Sequence, residues 1–188
     1  SASILAYNKE YGEADAVLKK LLEQHPTYLP AITQNFYVSR QLDKEAEAAK
    51  FAESVLEKNA DLYALRIFLA RYHYLNMRYD ETLKLLSPIN TDQQLPPAHW
   101  VMLADCYLRK NNSNEAIRIA QKWLQQNPED IRAAMTYVEV LRKLGRPADA
   151  VSIVDQQLHR QPKHEALLMA KLQLLAESKQ FDNAITLL

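Results

Sequence analysis

The chain repeats one small residue at a fixed spacing along its whole length. Alanine, or once threonine, recurs at intervals of 34 residues (positions 14 to 48, 48 to 82 and so on), and no insertion or deletion breaks the register. The members of this small-residue column are Ala14, Ala48, Thr82, Ala116, Ala150 and Ala184. Self-similarity at such a period predicts an array of stacked supersecondary units, each packing only on its neighbours.

Two further columns keep the same register. Leucine recurs at Leu22, Leu56, Leu124 and Leu158, with Asn90 as the exception, and proline recurs at Pro26, Pro128 and Pro162, with Ala60 in the slot after Pro26. A proline after a periodic apolar segment predicts the end of a helix, because it lacks an N–H and disfavours helix in the residue before it. Only 2 glycines occur in 188 residues, so tight β-turns are scarce, which favours an all-α chain. Gly145 suits the position just after a helix, where positive φ is common.

One segment carries the most complete pattern. Residues 97–130 contain, in order, Trp100, Leu103, Ala104, Tyr107, Ala116, Ala120 and Pro128. This pattern resembles the tetratricopeptide repeat (TPR) family, and the resemblance covers the whole chain. It implies a right-handed superhelical solenoid of antiparallel helix pairs, in which the small-residue column marks the close approach of two helices.

The register also predicts the organisation of the chain. Because the columns run through without a break, we expect a single solenoid over residues 1–188. Its units are a partial repeat at 1–28, full repeats at 29–62, 63–96, 97–130 and 131–164, and a partial repeat at 165–188. Both ends fall partway along a helix, which predicts a segment of a longer array.

The repeat at 63–96 departs from the others. Pro88 lies where the other repeats are still helical, and a proline inside a helix costs about 3 kcal/mol. The second helix of this repeat is therefore predicted to end early, leaving roughly residues 89–96 without regular structure. This stretch is either a tolerated local variation or a recognition loop or hinge.

The composition argues against several classes of function. Lys+Arg 23 balances Asp+Glu 23, so no general attraction to nucleic acid is expected. The lone Cys106 and the scattered histidines match no catalytic or metal-binding spacing. No apolar run approaches the ~20 residues of a membrane span. We predict a non-catalytic chain without a cofactor or metal.

The resemblance to TPR proteins implies a binding surface on the concave face, which the first helix of each repeat lines. A mixture of aromatic, charged and thioether side chains is expected there. The candidates are Tyr37, Arg40, Arg71, Tyr74, Asp105, Arg109, Met135, Glu139, Arg142 and Lys143. The lysine and asparagine pattern of chaperone-binding members is absent, since Thr33 and Tyr37, for example, stand in two of its slots.

Arg40, Arg71, Arg109 and Arg142, called here the arginine row, come from four successive first helices. If the row is free, it predicts an acidic, carboxylate-bearing peptide as partner, because arginine binds carboxylates bidentately. If Asp105 and Glu139 pair with the row across adjacent helices, its field is cancelled.

The leading prediction of function is a protein–protein interaction scaffold that holds a partner segment in the groove. A second is a bacterial periplasmic or envelope scaffold for exopolysaccharide production, export or protein sorting, with Tyr37 and Tyr74 stacking on sugar rings. A third is the regulatory region of a larger enzyme. The sequence leaves the compartment open between cytoplasm and bacterial envelope.

Overall fold

The computed structural model describes residues 1–87 and 95–185, and within these ranges all regular structure is α-helical. The chain divides into two compact units, an N-terminal unit (Ser1–Asn76) and a C-terminal unit (Met77–Leu188). Each is described by itself below. Where the individual 34-residue repeats begin and end stays a prediction.

The N-terminal unit contains five helices, and each packs against the next along the chain. They are α1 (Ala2–Tyr7), α2 (Tyr11–Gln24), α3 (Leu29–Gln41), α4 (Glu45–Lys58) and α5 (Tyr63–Leu75). Pro30 stands in the first turn of α3, where the missing N–H would have had no helical partner. The capping residues His25 and Asn59 follow α2 and α4. The residues after them, Pro26 and Ala60, stand at the positions of the proline column.

The C-terminal unit contains seven helices in its described part, and α9 packs on α7 as well as on α8 and α10. They are α6 (Tyr79–Leu86), α7 (Pro97–Arg109), α8 (Ser113–Gln126), α9 (Ile131–Lys143), α10 (Pro147–Arg160), α11 (Glu165–Glu177) and α12 (Phe181–Ile185). Pro97 and Pro147 each stand in a first helical turn.

The small-residue column is buried in both units. All of its members are between 0% and 9% exposed, and Ala14, Ala116 and Ala150 are fully enclosed. Thr82, the only polar member, is also enclosed, and its hydroxyl donates to the carbonyl of Arg78 at 2.9 Å. A larger side chain at these points would push the paired helices apart, because protein interiors are close-packed.

The turn inside each helix pair contains one residue with positive φ. These residues recur at the period of the repeat, as Lys9, Asp43, Met77, Asn111, Gly145 and Lys179, with φ between 55° and 70°. A left-handed residue after a helix allows its N–H to reach back to the last carbonyls. The positive φ that the sequence predicts at Gly145 is confirmed.

The early end of the second helix before Pro88 is confirmed, since α6 ends at Leu86 and Ser87 forms a turn. The remainder of that prediction concerns residues 89–96. Positions 88–94 lie outside the described residues, and Leu95 and Pro96 precede α7 without helical structure.

Among residues 1–87 and 95–185, no helix is both long and apolar enough to cross a membrane. In the same ranges, histidine, cysteine and carboxylate side chains form no cluster suited to a metal ion. Cys106 is fully buried on α7, and burial raises the pKa of its thiol to about 12.

Candidate peptide-binding surfaces

A groove runs between α3 and α5 of the N-terminal unit. The edges of aromatic rings hold the two helices together: the Phe36 ring centroid lies 4.8 Å from that of Phe68 and 5.1 Å from that of Tyr72. Such edge-to-face pairs add to the apolar area that the rings bury. The groove has a volume of about 290 Å³ and is lined by Thr33, Phe36, Tyr37, Arg40, Glu45, Phe68, Arg71, Tyr72 and Leu75.

The two arginines of this groove differ in their partners. Arg40 Nε donates to Glu45 Oε1 at 3.0 Å, which ties the end of α3 to the start of α4. This hydrogen bond and the charge of Glu45 raise the pKa of the Arg40 guanidinium. The exposed Arg71 guanidinium makes no hydrogen bond or ion pair with any residue in the described ranges. Arg71 therefore presents its donors to the groove and to solvent.

The structure separates the two candidate tyrosines. Tyr37 lines the groove and is 52% exposed, with its ring edge against Tyr11 at a centroid distance of 6.5 Å. Tyr74 is half-buried and does not line this groove. The α3–α5 groove, defined by its lining residues above, thus brings together three of the four candidates in this unit: Tyr37, Arg40 and Arg71.

In the C-terminal unit, charged candidates neutralise one another. Asp105 Oδ2 accepts from Arg109 Nε at 2.8 Å, and Asp105 Oδ1 accepts from Lys143 Nζ at 3.3 Å. The Arg109 guanidinium also lies over the Tyr79 ring, 5.3 Å from its centroid. The carboxylate of Asp105 therefore binds two cations, one on its own helix and one on α9.

The same pattern continues from α9 to α11. Glu139 accepts from Arg142 Nε at 2.8 Å, and Arg142 Nη1 lies 3.3 Å from Glu177 Oε1 on α11. Of the two alternatives that the sequence leaves open, pairing holds for Arg109 and Arg142, but Asp105 and Glu139 meet them on the same helix and not across adjacent helices. The reason is that residues three or four apart share one helix face.

The remaining candidate, Met135, is half-buried on α9. It packs against the apolar cluster that α9, α10 and α11 form around Val138, Leu141 and Val154. Its contact with a partner stays a prediction.

The repeat matches a known family. Residues 107–174 fit the model of the tetratricopeptide repeat. This segment therefore carries the tetratricopeptide repeat. The all-α solenoid of helix pairs predicted from the 34-residue register is confirmed by the helices described above and by the solved structures that follow.

Solved TPR structures extend the likeness to nearly the whole chain. A tetratricopeptide repeat protein from Parabacteroides merdae superposes with a TM-score of 0.69 at 14% identity, over 99% of this chain and 74% of that one. YrrB, described as a TPR protein with an unusual peptide-binding site, gives 0.62 at 14% identity, over 90% and 88%. PilF of Pseudomonas aeruginosa gives 0.62 at 17%, over 99% and 85%. A search of curated proteins found no match.

Several residues that shape the α3–α5 groove were missed by the sequence-based prediction. Phe36, Phe68 and Tyr72 build its walls, and Glu45 neutralises Arg40. A positional signal exists for Glu45, because an acidic residue just after the turn can reach an arginine at the end of the preceding helix. No such signal in the sequence shows that Arg71 lacks a carboxylate partner in the described ranges, since this depends on which carboxylates lie nearby in space.

Proposed function

We propose that this chain is a non-catalytic scaffold that binds an extended, acidic segment of a partner protein in the α3–α5 groove. The observation that carries the proposal is the Arg71 guanidinium, unpaired among the described residues, beside an aromatic wall. A carboxylate of the partner would accept two parallel hydrogen bonds from Arg71.

The apolar part of the groove supports the same proposal. The half-buried Phe68 ring lines the groove over the buried rings of Phe36 and Tyr72, and Leu75 is 64% exposed at the groove edge. Aromatic and arginine side chains carry much of the binding energy in protein interfaces. A partner segment with an apolar residue beside an acidic one would complement both features.

The acidic preference comes from Arg71 and not from the C-terminal unit. There, Arg109 and Arg142 are held by Asp105, Glu139 and Glu177. An incoming carboxylate would have to displace a carboxylate that is already in place. The contribution of this surface to binding an acidic segment is therefore small.

A non-catalytic role also agrees with the state of the only thiol. Cys106 is enclosed and its pKa is raised to about 12 by burial, whereas a nucleophilic cysteine needs a depressed pKa and a nearby base.

Selection from a library of displayed random peptides tests the proposal. The chain should enrich peptides that contain acidic residues next to an apolar residue. Leu75→Glu should abolish this enrichment, because it places a negative charge at the groove edge. Ile4→Glu, at an equally exposed apolar position on α1, should leave it intact. Enrichment of neutral peptides, or equal loss in both variants, would contradict the proposal.

Sugar binding is tested separately, by titrating the chain with a neutral glycan in place of a peptide. If a neutral glycan binds and Tyr37→Ala abolishes that binding while Arg71→Ala leaves it unchanged, the envelope polysaccharide alternative would replace the peptide proposal. The role of this chain in an envelope stays a prediction.

A further inference from the structure

A second cavity lies between α2, α3 and α4 of the N-terminal unit, and it shares no lining residue with the α3–α5 groove. Its volume is about 270 Å³. Leu22, Ala48 and Phe51 supply its apolar surface, and Asn35 and Ser39 of α3 supply buried polar groups. The charged residues around it are Asp15, Lys19, Glu23, Lys44 and Glu47.

The repeat register explains why space exists here. Ser39 occupies the position that His73 and Tyr107 occupy one and two periods later. Each of those rings extends to the preceding second helix or its end. His73 Nε2 reaches Glu53 Oε1 at 3.0 Å, and the Tyr107 hydroxyl reaches Ser87 Oγ at 3.4 Å.

The residues that these rings reach belong to one column as well. Glu53 and Ser87 follow Lys19 at one and two periods. Between Ser39 and Lys19, however, no such contact forms. The Ser39 side chain is too short to reach Lys19, and Lys19 Nζ pairs instead with Asp15 Oδ2 at 2.8 Å. The cavity therefore lies where the chain places a ring of its own in the next two repeats.

Asn35 adds a chemical requirement to this space. Its counterparts one and two periods later are Leu69 and Leu103. Asn35 is 7% exposed, and its buried Oδ1 accepts no hydrogen bond from the residues that the structure describes. A buried amide oxygen without a partner is destabilising, because it has lost its hydrogen bonds to water. An occupant with a hydroxyl group would satisfy it.

We propose that this cavity binds the phenol ring of a tyrosine side chain presented by a partner protein. The ring would lie against Leu22, Ala48 and Phe51 in the space that Ser39 leaves unfilled, and its hydroxyl would donate to Asn35 Oδ1. The size is sufficient, since an apolar cavity of about 150 Å³ already holds benzene. The site works independently of the α3–α5 groove.

Para-cresol and toluene form a matched pair of probes, because they differ only in the phenol hydroxyl. Titration of the chain, followed by NMR, should show shifts at Leu22, Ala48 and Phe51 with para-cresol. Its affinity should exceed that of toluene by about tenfold, since only the phenol can pair with Asn35. Shifts with neither probe, or equal affinities, would overturn the proposal.

Two variants separate the cavity from the chemistry of Asn35. Ser39→Tyr should fill the space with a ring of the chain itself and abolish para-cresol binding, whereas Ser54→Tyr, at an exposed site on α4, should leave it unchanged. Asn35→Leu should remove the preference for para-cresol over toluene. Full para-cresol binding in Ser39→Tyr would place the probe elsewhere and overturn the proposal.

A tyrosine derivative distinguishes a partner's side chain from a free phenol. N-acetyl-tyrosine amide should shift the same residues as para-cresol, and N-acetyl-phenylalanine amide should do so at least tenfold more weakly. If para-cresol binds but N-acetyl-tyrosine amide does not, the cavity admits only a free phenol and the assignment to a partner's tyrosine fails. The acidic-peptide selection remains unaffected by either result.

Discussion

His73 Nε2 lies 3.0 Å from Glu53 Oε1, and this contact joins α5 to α4. The imidazole is only 3% exposed, whereas the Glu53 side chain is 40% exposed. The pair therefore bridges the interior and the surface of the N-terminal unit. It places a polar ring in a slot where the next repeat has Tyr107.

Loss of Glu53 should destabilise the N-terminal unit. Glu53→Ala leaves a buried imidazole without this carboxylate, which we expect to lower the free energy of unfolding by about 1–3 kcal/mol. Glu57→Ala, at an exposed position of the same helix, should change it by no more than about 0.5 kcal/mol. Urea denaturation measures both values, and equal effects would show that the contact contributes nothing.

The small-residue column should reject larger side chains. Ala150→Leu overpacks a fully enclosed site, and overpacking costs about 1–3 kcal/mol. The same substitution at Ala148, which is exposed on the same helix, provides the matched control. Thermal and urea unfolding should show a loss for Ala150→Leu but not for the control, and a similar loss for Ala116→Leu. Equal stability of the two α10 variants would mean that the column is not a packing constraint.

Cys106 should be protected from thiol reagents in the folded chain. Its pKa of about 12 lies well above that of a free thiol, so the thiolate fraction falls on the order of a thousandfold. Ellman's reagent at mildly alkaline pH should therefore react slowly with the native protein and rapidly in denaturant. Rapid labelling of the native chain would contradict the buried position.

His99 should make stability depend on pH. Burial lowers the pKa of its imidazole, so the unfolded chain takes up a proton more readily as the pH falls below about 6.5. The free energy of unfolding should then decrease between about pH 6.5 and 5. His99→Leu, which introduces the residue type found at the same register in Leu65 and Leu167, should flatten this decrease.

The control for His99 is His25→Gln, since His25 is exposed at the end of α2. Urea denaturation at a series of pH values should show the original slope in this variant. An unchanged slope in His99→Leu would assign the pH dependence to other groups.

The helix pairs are predictable from the sequence because their signals are local. Small residues, leucines and prolines recur in columns, represented by Ala116, Leu56 and Pro128. Each column follows from a local steric requirement, such as the close approach of two helices or the end of a helix. The positive-φ column is harder to see, since only Gly145 has the residue type that suits it best. Lys9 and Met77 adopt the same conformation because the turn geometry requires it.

The candidate sites are less predictable because they depend on pairing in space. Four arginines at similar register look equivalent, yet Arg40 meets Glu45, Arg142 meets Glu139, and Arg71 has no such partner in the described ranges. Each outcome depends on where neighbouring carboxylates fall. Comparing one position across the repeats does not show which carboxylate an arginine meets. The same comparison at Ser39 and Asn35 does locate the second cavity, once the contacts of His73 and Tyr107 are known.

The most direct test of the central claim compares two charge reversals by calorimetry, using an acidic peptide obtained from the selection above. Arg71→Glu should weaken binding at least tenfold, because the available guanidinium is lost and a repulsive charge replaces it. Arg142→Glu should change the affinity by no more than about twofold, since Arg142 is already paired with Glu139 and Glu177. Binding that survives Arg71→Glu, or that is lost equally in both variants, would contradict the α3–α5 groove as the peptide site.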